Sequence, residues 1–243
     1  LEGVDDVEYQ NMTDDFHGIA ISGPNSRELL SRLTREDVSS ESFKFRDIRD
    51  TFIGGVPALC VRLSFTGELG YEIYVAPQFQ LKLFDEIQEA GKDLDVKWFG
   101  GRALMSMRLE KSWGAWTMDF RPDFTLMESG LDFFVDWDKD FIGKKAALNE
   151  KENGITKQLS VIEIETETDV SGDEAVMHNG KCISYITSGG YGHSVEKSLA
   201  MTYLPVELIK ESAEFEVEIL GIFHKAKVVL KPLYDPSGSK MRE

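Results

Sequence analysis

Only two cysteines and four histidines occur in 243 residues, and that scarcity closes off several chemistries. Cys60 and Cys182 stand alone in strand-like runs with no C-x-x-C spacing, so neither a disulfide framework nor a zinc site follows, and both are expected to be small buried thiols. His17, His178, His193 and His224 form no H-x-x-x-H or H-x-E pattern, and no structural metal is expected. Basic residues are outnumbered, with 27 Lys and Arg against 43 Asp and Glu and a formal charge of −16. Nucleic acid is not an expected partner, because affinity for a phosphate backbone rests on clustered cations, whereas a small anionic ligand needs only a few local ones. No apolar run reaches the length of a membrane span and no charged-then-apolar leader opens the chain, so no membrane partner is expected and the protein reads as soluble. Several enzyme signatures are missing as well. There is no G-x-S-x-G elbow and no G-x-G-x-x-G; "FIGGV" lacks the third glycine of a dinucleotide fingerprint.

The chain opens Leu1-Glu2-Gly3-Val4-Asp5 without a methionine, which reads as a processed or truncated piece of a longer polypeptide. "GIAISGP" is expected to be a short strand running into a helix with Pro24 in its first turn and Leu29, Leu30 and Leu33 on its apolar side. "VPALCVRLS" and "YEIYVA" read as strands joined through "FTGELG" as a hairpin, and "PQFQLKLFDEIQEAG" as a helix with Phe79, Leu83, Ile87 and Ala90 inward and Gly91 as its stop. "GGRALMSMRLEKSW" follows as a helix with Ala103, Leu104 and Met107 on one side, and "DFIGKKAALNEK" as another. "EKENG", Glu150 to Gly154, is the linker candidate. From Thr156 onward short strands dominate, with an Asn179-Gly180 pair suited to a two-residue turn. The fold class is therefore α+β, with an α+β domain over residues 1–155 and a small β-barrel or sandwich domain over 156–243.

Within this frame one side chain stands out. Strict alternation in "YEIYV" puts Tyr71, Ile73 and Val75 on one face and Glu72 with Tyr74 on the other. Taken alone, such a glutamate is the solvated side of a half-buried strand. Arg102 is also conspicuous, because a cation in a first helical turn opposes the helix dipole. The cluster from Trp113 to Phe134 is read mainly as core, with a stacking surface for a flat heteroaromatic ligand as the sharper alternative. "SGGYGHS", Ser188 to Ser194, follows a strand and leads into a strand, so it reads as a tight turn and not as a phosphate cradle.

"FTGELGYEIYVAP", "GGRALMSMRLEKSWGAW", "MESGLDFFV" with "DFIGKKAAL", and "ITSGGYGHSVEKSLAMTYLP" occur in an order that resembles the aminomethyltransferase family, the T-protein of the glycine cleavage system. "RLEKSWGAW" and "KSLAMTYLP" are most similar to the folate-binding C-terminal part of dimethylglycine and sarcosine dehydrogenases. The resemblance spans nearly the whole chain. It implies a T-protein-like folate-binding module truncated at its N-terminal side and followed by the C-terminal barrel.

That resemblance also implies an activity and a site. The cofactor is tetrahydrofolate, and the activity is transfer of an aminomethyl or methylene carbon from a small methylated amine-derived donor, giving 5,10-methylenetetrahydrofolate. The family's pterin-binding glutamate falls on Glu72, not Glu68, and its carboxylate would accept from the pterin amino and ring N–H groups. The family's arginine falls on Arg102, where it would pair with the folate glutamate carboxylate. Phe133 falls where the family places an aromatic near the folate, and Phe65 where other members carry a tyrosine, whose hydroxyl this chain lacks. The family's catalytic aspartate belongs to a segment preceding the matching part. None of Asp5, Asp6, Asp14 or Asp15 sits in its motif, so the catalytic residue is unassigned and a missing N-terminal segment or a flavoprotein partner is expected to complete the chemistry. The alternatives are a non-catalytic folate-binding, regulatory or assembly module and a folate-dependent demethylase. A bacterial member would be cytoplasmic and a eukaryotic one would lie in the mitochondrial matrix.

Overall fold

A computed structural model of the protein describes residues 7–243. The chain packs as two compact units, one formed by the chain through Trp98 together with Gly238–Glu243, the other by Phe99–Ser237. Packing thus groups residues 99–156 with the second unit, whereas the change from mixed elements to strands comes at residue 157.

The first unit is an antiparallel sheet under two helices. Strands β1 (His17–Ser22), β2 (Ile48–Ile53), β3 (Val56–Val61) and β4 (Gly70–Val75) lie in the order β1-β4-β3-β2. Helices α1 (Ser26–Leu33) and α2 (Gln80–Ala90) bury Leu29, Leu30, Leu33, Leu83 and Ile87 in one core with Ile21, Val56, Cys60, Tyr71, Ile73 and Val75. Pro24 precedes α1 and lies outside it. The β2–β3 hairpin, which motif matching passed over, turns at Gly54 and Gly55 with φ of 60° and 74°. Two successive positive φ values make the tight turn whose twist suits antiparallel strands, and glycine adopts them without strain. Burial within this core pushes the Cys60 thiol up to about 12.

The second unit carries the closed barrel in the order β10-β5-β8-β7-β6-β9. Its strands are β5 (Lys157–Ile164), β6 (Ala175–His178), β7 (Lys181–Gly192), β8 (Lys197–Pro205), β9 (Glu214–Ile219) and β10 (Ile222–Val229). Closure removes free edges, and alternate side chains such as Ile162, Val176, Ile186, Ala200, Val217 and Val228 fill the interior. Helix α3 (Gly101–Glu110) lies outside it, with Leu109 packed among Val161, Leu199 and Met201, so β8 is buried on both faces.

Several sequence expectations need correction here. The buried part of α3 is Arg108, Leu109 and Glu110, not Ala103, Leu104 and Met107. Glu150–Asn153 form the last turn of helix α4 (Lys144–Asn153) and only Gly154 leaves it, so the linker reading fails. Cys182 is exposed. "SGGYG" is the end of strand β7, and its glycines answer to packing: a Cβ on Gly192 would lie 2.9 Å from Cγ of Glu110, and one on Gly190 3.4 Å from Leu109. On the opposite face a Cβ on Gly189 would meet Cβ of Val170 at 2.8 Å and its carbonyl oxygen at 3.0 Å. Gly189→Ala is accordingly expected to cost about 1–3 kcal/mol through overpacking, measured as a lower urea midpoint at unchanged slope.

Candidate functional site

In the first unit the helices cover one face of the sheet, and the other face carries Gly18 and Ala20 on β1, Glu72 and Tyr74 on β4, and Leu59 and Val61 on β3. The Tyr74 hydroxyl donates to Oε2 of Glu72 at 2.6 Å. Its ring crosses β1 where a Cβ on Gly18 would stand 3.1 Å away, so the missing side chain makes room for it. Oε1 of Glu72 has no partner among the described residues, and the half-buried carboxylate is left with a directed acceptor. Alternation places the two side chains together, and i, i+2 spacing on one face was the signal for a pairing that the motif reading did not draw.

The hydrogen bond to Glu72, followed by burial, raises the Tyr74 hydroxyl to about 12 from an ordinary 10.0. A raised folded-state value favours the protonated fold, so this contribution is complete below pH 10 and is lost as pH rises through about 12. Burial also raises the hydroxyls of Tyr71 and Tyr203, so tyrosinate absorbance is expected to show Tyr74 among a late-ionising group, and Glu72→Gln should bring one ionisation of that group to lower pH.

Glu72 is delivered by the connection from Arg62 to Leu69, which has no strand partner and is held at several points. Ser22 Oγ and Thr66 Oγ1 are 2.5 Å apart, Ser26 Oγ donates to the Leu69 carbonyl at 3.0 Å, and Gly23 N–H donates to the same oxygen at 2.8 Å. Phe65 is half-buried within this connection.

In the second unit Arg102 lies at the exposed start of α3 and has no hydrogen bond or ion pair among the described residues. Phe133 is 73% exposed and rests against Phe134, with ring centroids 4.0 Å apart. The aromatic segment is therefore not simply core: Trp116 is 77% and Phe134 66% exposed, whereas Phe124 stacks on Tyr203 at 3.5 Å. Structure thus places Glu72 and Phe65 in the first unit and Arg102 and Phe133 in the second. Asp14 and Asp15 lie in an exposed turn; Asp5 and Asp6 lie outside the described residues.

The aromatic segment is anchored by a buried carboxylate that sequence reading missed. Oδ2 of Asp119 accepts from Arg108 Nη1 and from the Ala115 N–H, each at 2.8 Å. Oδ1 accepts from Thr187 Oγ1 at 2.5 Å and Ser188 Oγ at 2.7 Å. Burial lowers the Arg108 guanidinium from its ordinary value, against the opposing pull of Asp119. Nothing in "TMDF" announces this role, because the four donors come from separate parts of the chain. Among the described residues no group of three or more His, Cys, Asp or Glu could hold a metal ion, and no helix is long and apolar enough to cross a membrane.

The first unit thus carries a half-buried carboxylate on an open sheet face, and the second a closed six-stranded barrel adjoined by a helix that starts at an exposed arginine. The family model described as GCVT N-terminal domain matches residues 1–139, and the one described as glycine cleavage T-protein C-terminal barrel domain matches residues 157–235. The chain belongs to the glycine cleavage T-protein family. Human mitochondrial dimethylglycine dehydrogenase is 36% identical over all of this chain, which spans 29% of that protein. An aminomethyltransferase from Geobacillus sp. (strain WCH70) is 34% identical over 94% of this chain and 63% of its own length. The crystal structure of the glycine cleavage system aminomethyltransferase T from Bartonella henselae superposes with a TM-score of 0.68 at 28% identity, covering 74% of this chain and 50% of that one.

Proposed function

We propose that the chain binds a reduced folate and serves in tetrahydrofolate-dependent one-carbon transfer, the carbon coming from an N-methylated glycine derivative. The observation that carries this reading is Glu72: one carboxylate oxygen is occupied by Tyr74 and the other has no hydrogen-bond partner among the described residues. An ionised carboxylate only accepts, so it suits a ring edge that presents adjacent N–H donors, as a pterin does. Tyr74 holds the carboxylate in one orientation, which lowers the ordering cost of binding. Arg102 supplies a fork of donors for a ligand carboxylate. Phe133 offers an exposed ring face, and Phe65 an apolar one in the connection before Glu72.

Bound tetrahydrofolate would supply the amine that captures the carbon. The protein's share is to hold that amine in place and keep water away, a task of proximity more than of strong acid or base catalysis. Similarity to a human dimethylglycine dehydrogenase and to aminomethyltransferases supports the donor class. Oxidation of the donor belongs, in this reading, to a flavin-bearing partner or domain outside these residues.

Calorimetric titration of the purified chain with 5-formyltetrahydrofolate tests the proposal. Micromolar or tighter binding supports it, and absence of binding removes the folate reading for this chain. Arg102→Ala is expected to weaken that binding by roughly tenfold, the scale of one lost charged hydrogen bond, with thermal stability unchanged because the side chain is exposed and unpaired. A lower melting temperature in its place would make Arg102 a structural residue.

A further inference from the structure

The segment Gly238–Glu243 packs with the first unit, although more than a hundred residues of the second unit separate it from Trp98 in sequence. Its contacts fall on the two ends of the connection that delivers Glu72. At the entry, Arg62 is 1% exposed; its Nη1 donates to the Phe43 carbonyl at 2.6 Å and its Nη2 to the main-chain oxygen of Glu243 at 2.5 Å. Arg27 donates to that same Glu243 oxygen. Near the exit, Lys240 Nζ lies 3.3 Å from Oε1 of Glu68. Met241 is buried to 8% exposure and fixes the segment in place.

We propose that residues 238–243 are a latch that positions the Arg62–Leu69 connection, so that ligand affinity at Glu72 depends on the seated segment. The physical weight falls on Arg62. It is a buried cation whose acceptors among the described residues are two main-chain oxygens, one of them in the latch, and a buried guanidinium that loses an acceptor must recover it by moving. The connection around it is held by separate hydrogen bonds at Arg62, Thr66 and Leu69 and by no strand ladder, so a shift at Arg62 can loosen the stretch between these points. The Lys240–Glu68 pair contributes little, because exposed ion pairs are screened by water. Ligand then meets a population in which only part of the molecules present Glu72 correctly, and apparent affinity falls by that fraction. The affinity part rests on the folate reading; the latch itself does not.

The test compares the full chain with Met241→Glu, which unseats the segment by a single change, and with a chain ending at Ser237. Amide hydrogen exchange is followed in 62–70 and, as an internal standard, in β2 and β3. Exchange in 62–70 is expected to rise at least tenfold in both variants with β2 and β3 unchanged, and 5-formyltetrahydrofolate affinity to fall by about tenfold, as expected if one molecule in ten stays competent. Lys240→Ala should leave both readouts within about twofold. Unchanged exchange in 62–70, or a rise shared equally by β2 and β3, overturns the latch. Local loosening with undiminished affinity overturns its link to Glu72. If the full chain binds no folate, the folate reading fails while the exchange data still decide the latch.

Discussion

Asp119→Ala is expected to cost about 3–5 kcal/mol, the range for removing one member of a buried ion pair and leaving the other charged. The carboxylate satisfies Arg108, the Ala115 N–H, Thr187 and Ser188, and it is 0% exposed, so water cannot replace it without opening the packing. A domain of this size is stable by only about 5–15 kcal/mol, so the loss is a large fraction of the whole. The melting temperature should fall by on the order of 10 °C in a calorimetric scan. Adding Arg108→Met should recover part of the loss, because it removes the stranded charge, but not all of it, since the Ala115 N–H and the Ser188 hydroxyl lose their acceptor while Thr187 keeps the Met201 carbonyl. A single substitution within 0.5 kcal/mol of the parent would show that the pair is not desolvated as described.

Glu72→Gln is the second large effect. The amide oxygen can still accept from Tyr74, so the fold should be kept; the amide nitrogen then points where the second carboxylate oxygen was. A ligand edge made of N–H donors would face a donor. Folate binding should weaken by about 1.5–3 kcal/mol, roughly 10- to 150-fold in Kd by calorimetry. Affinity unchanged by the substitution would take Glu72 out of the site, whatever the chain binds.

Much of the architecture was legible because it is written in local periodicity. Alternation in "YEIYV" gave the buried and open faces of β4, and Leu29, Leu30, Leu33, Leu83 and Ile87 gave the inner sides of α1 and α2. The change to short strands after residue 156 gave the closed barrel. What periodicity could not give is anything set by a distant partner. "SGGYG" read as a turn, yet it is glycine-rich because Leu109 and Glu110 lie over one face and Val170 over the other, three residues far from it in sequence. The α3 helix looked amphipathic about Leu104, but the Arg108–Asp119 pair draws its last turn inward. Asp119 gave no signal for the same reason, and the contacts of 238–243 with Arg62 and Glu68 span too much chain for any window to detect. At the candidate site, the alternation that aimed Glu72 outward also paired it with Tyr74.

The seating of 238–243 on the first unit also bears on the order of events during synthesis. The strands and helices of that unit are complete by Trp98, yet the contacts of Arg62 and Glu68 with 238–243 come about 140 residues further on. At translation rates of about 5–20 residues per second, the interval is on the order of 10–30 s. During it the sheet and its helices can form on the ribosome, while the connection leading to Glu72 lacks its contacts with 238–243 and is more open to proteases. The first unit therefore acquires its sheet and helices well before the connection to Glu72 gains all of its contacts.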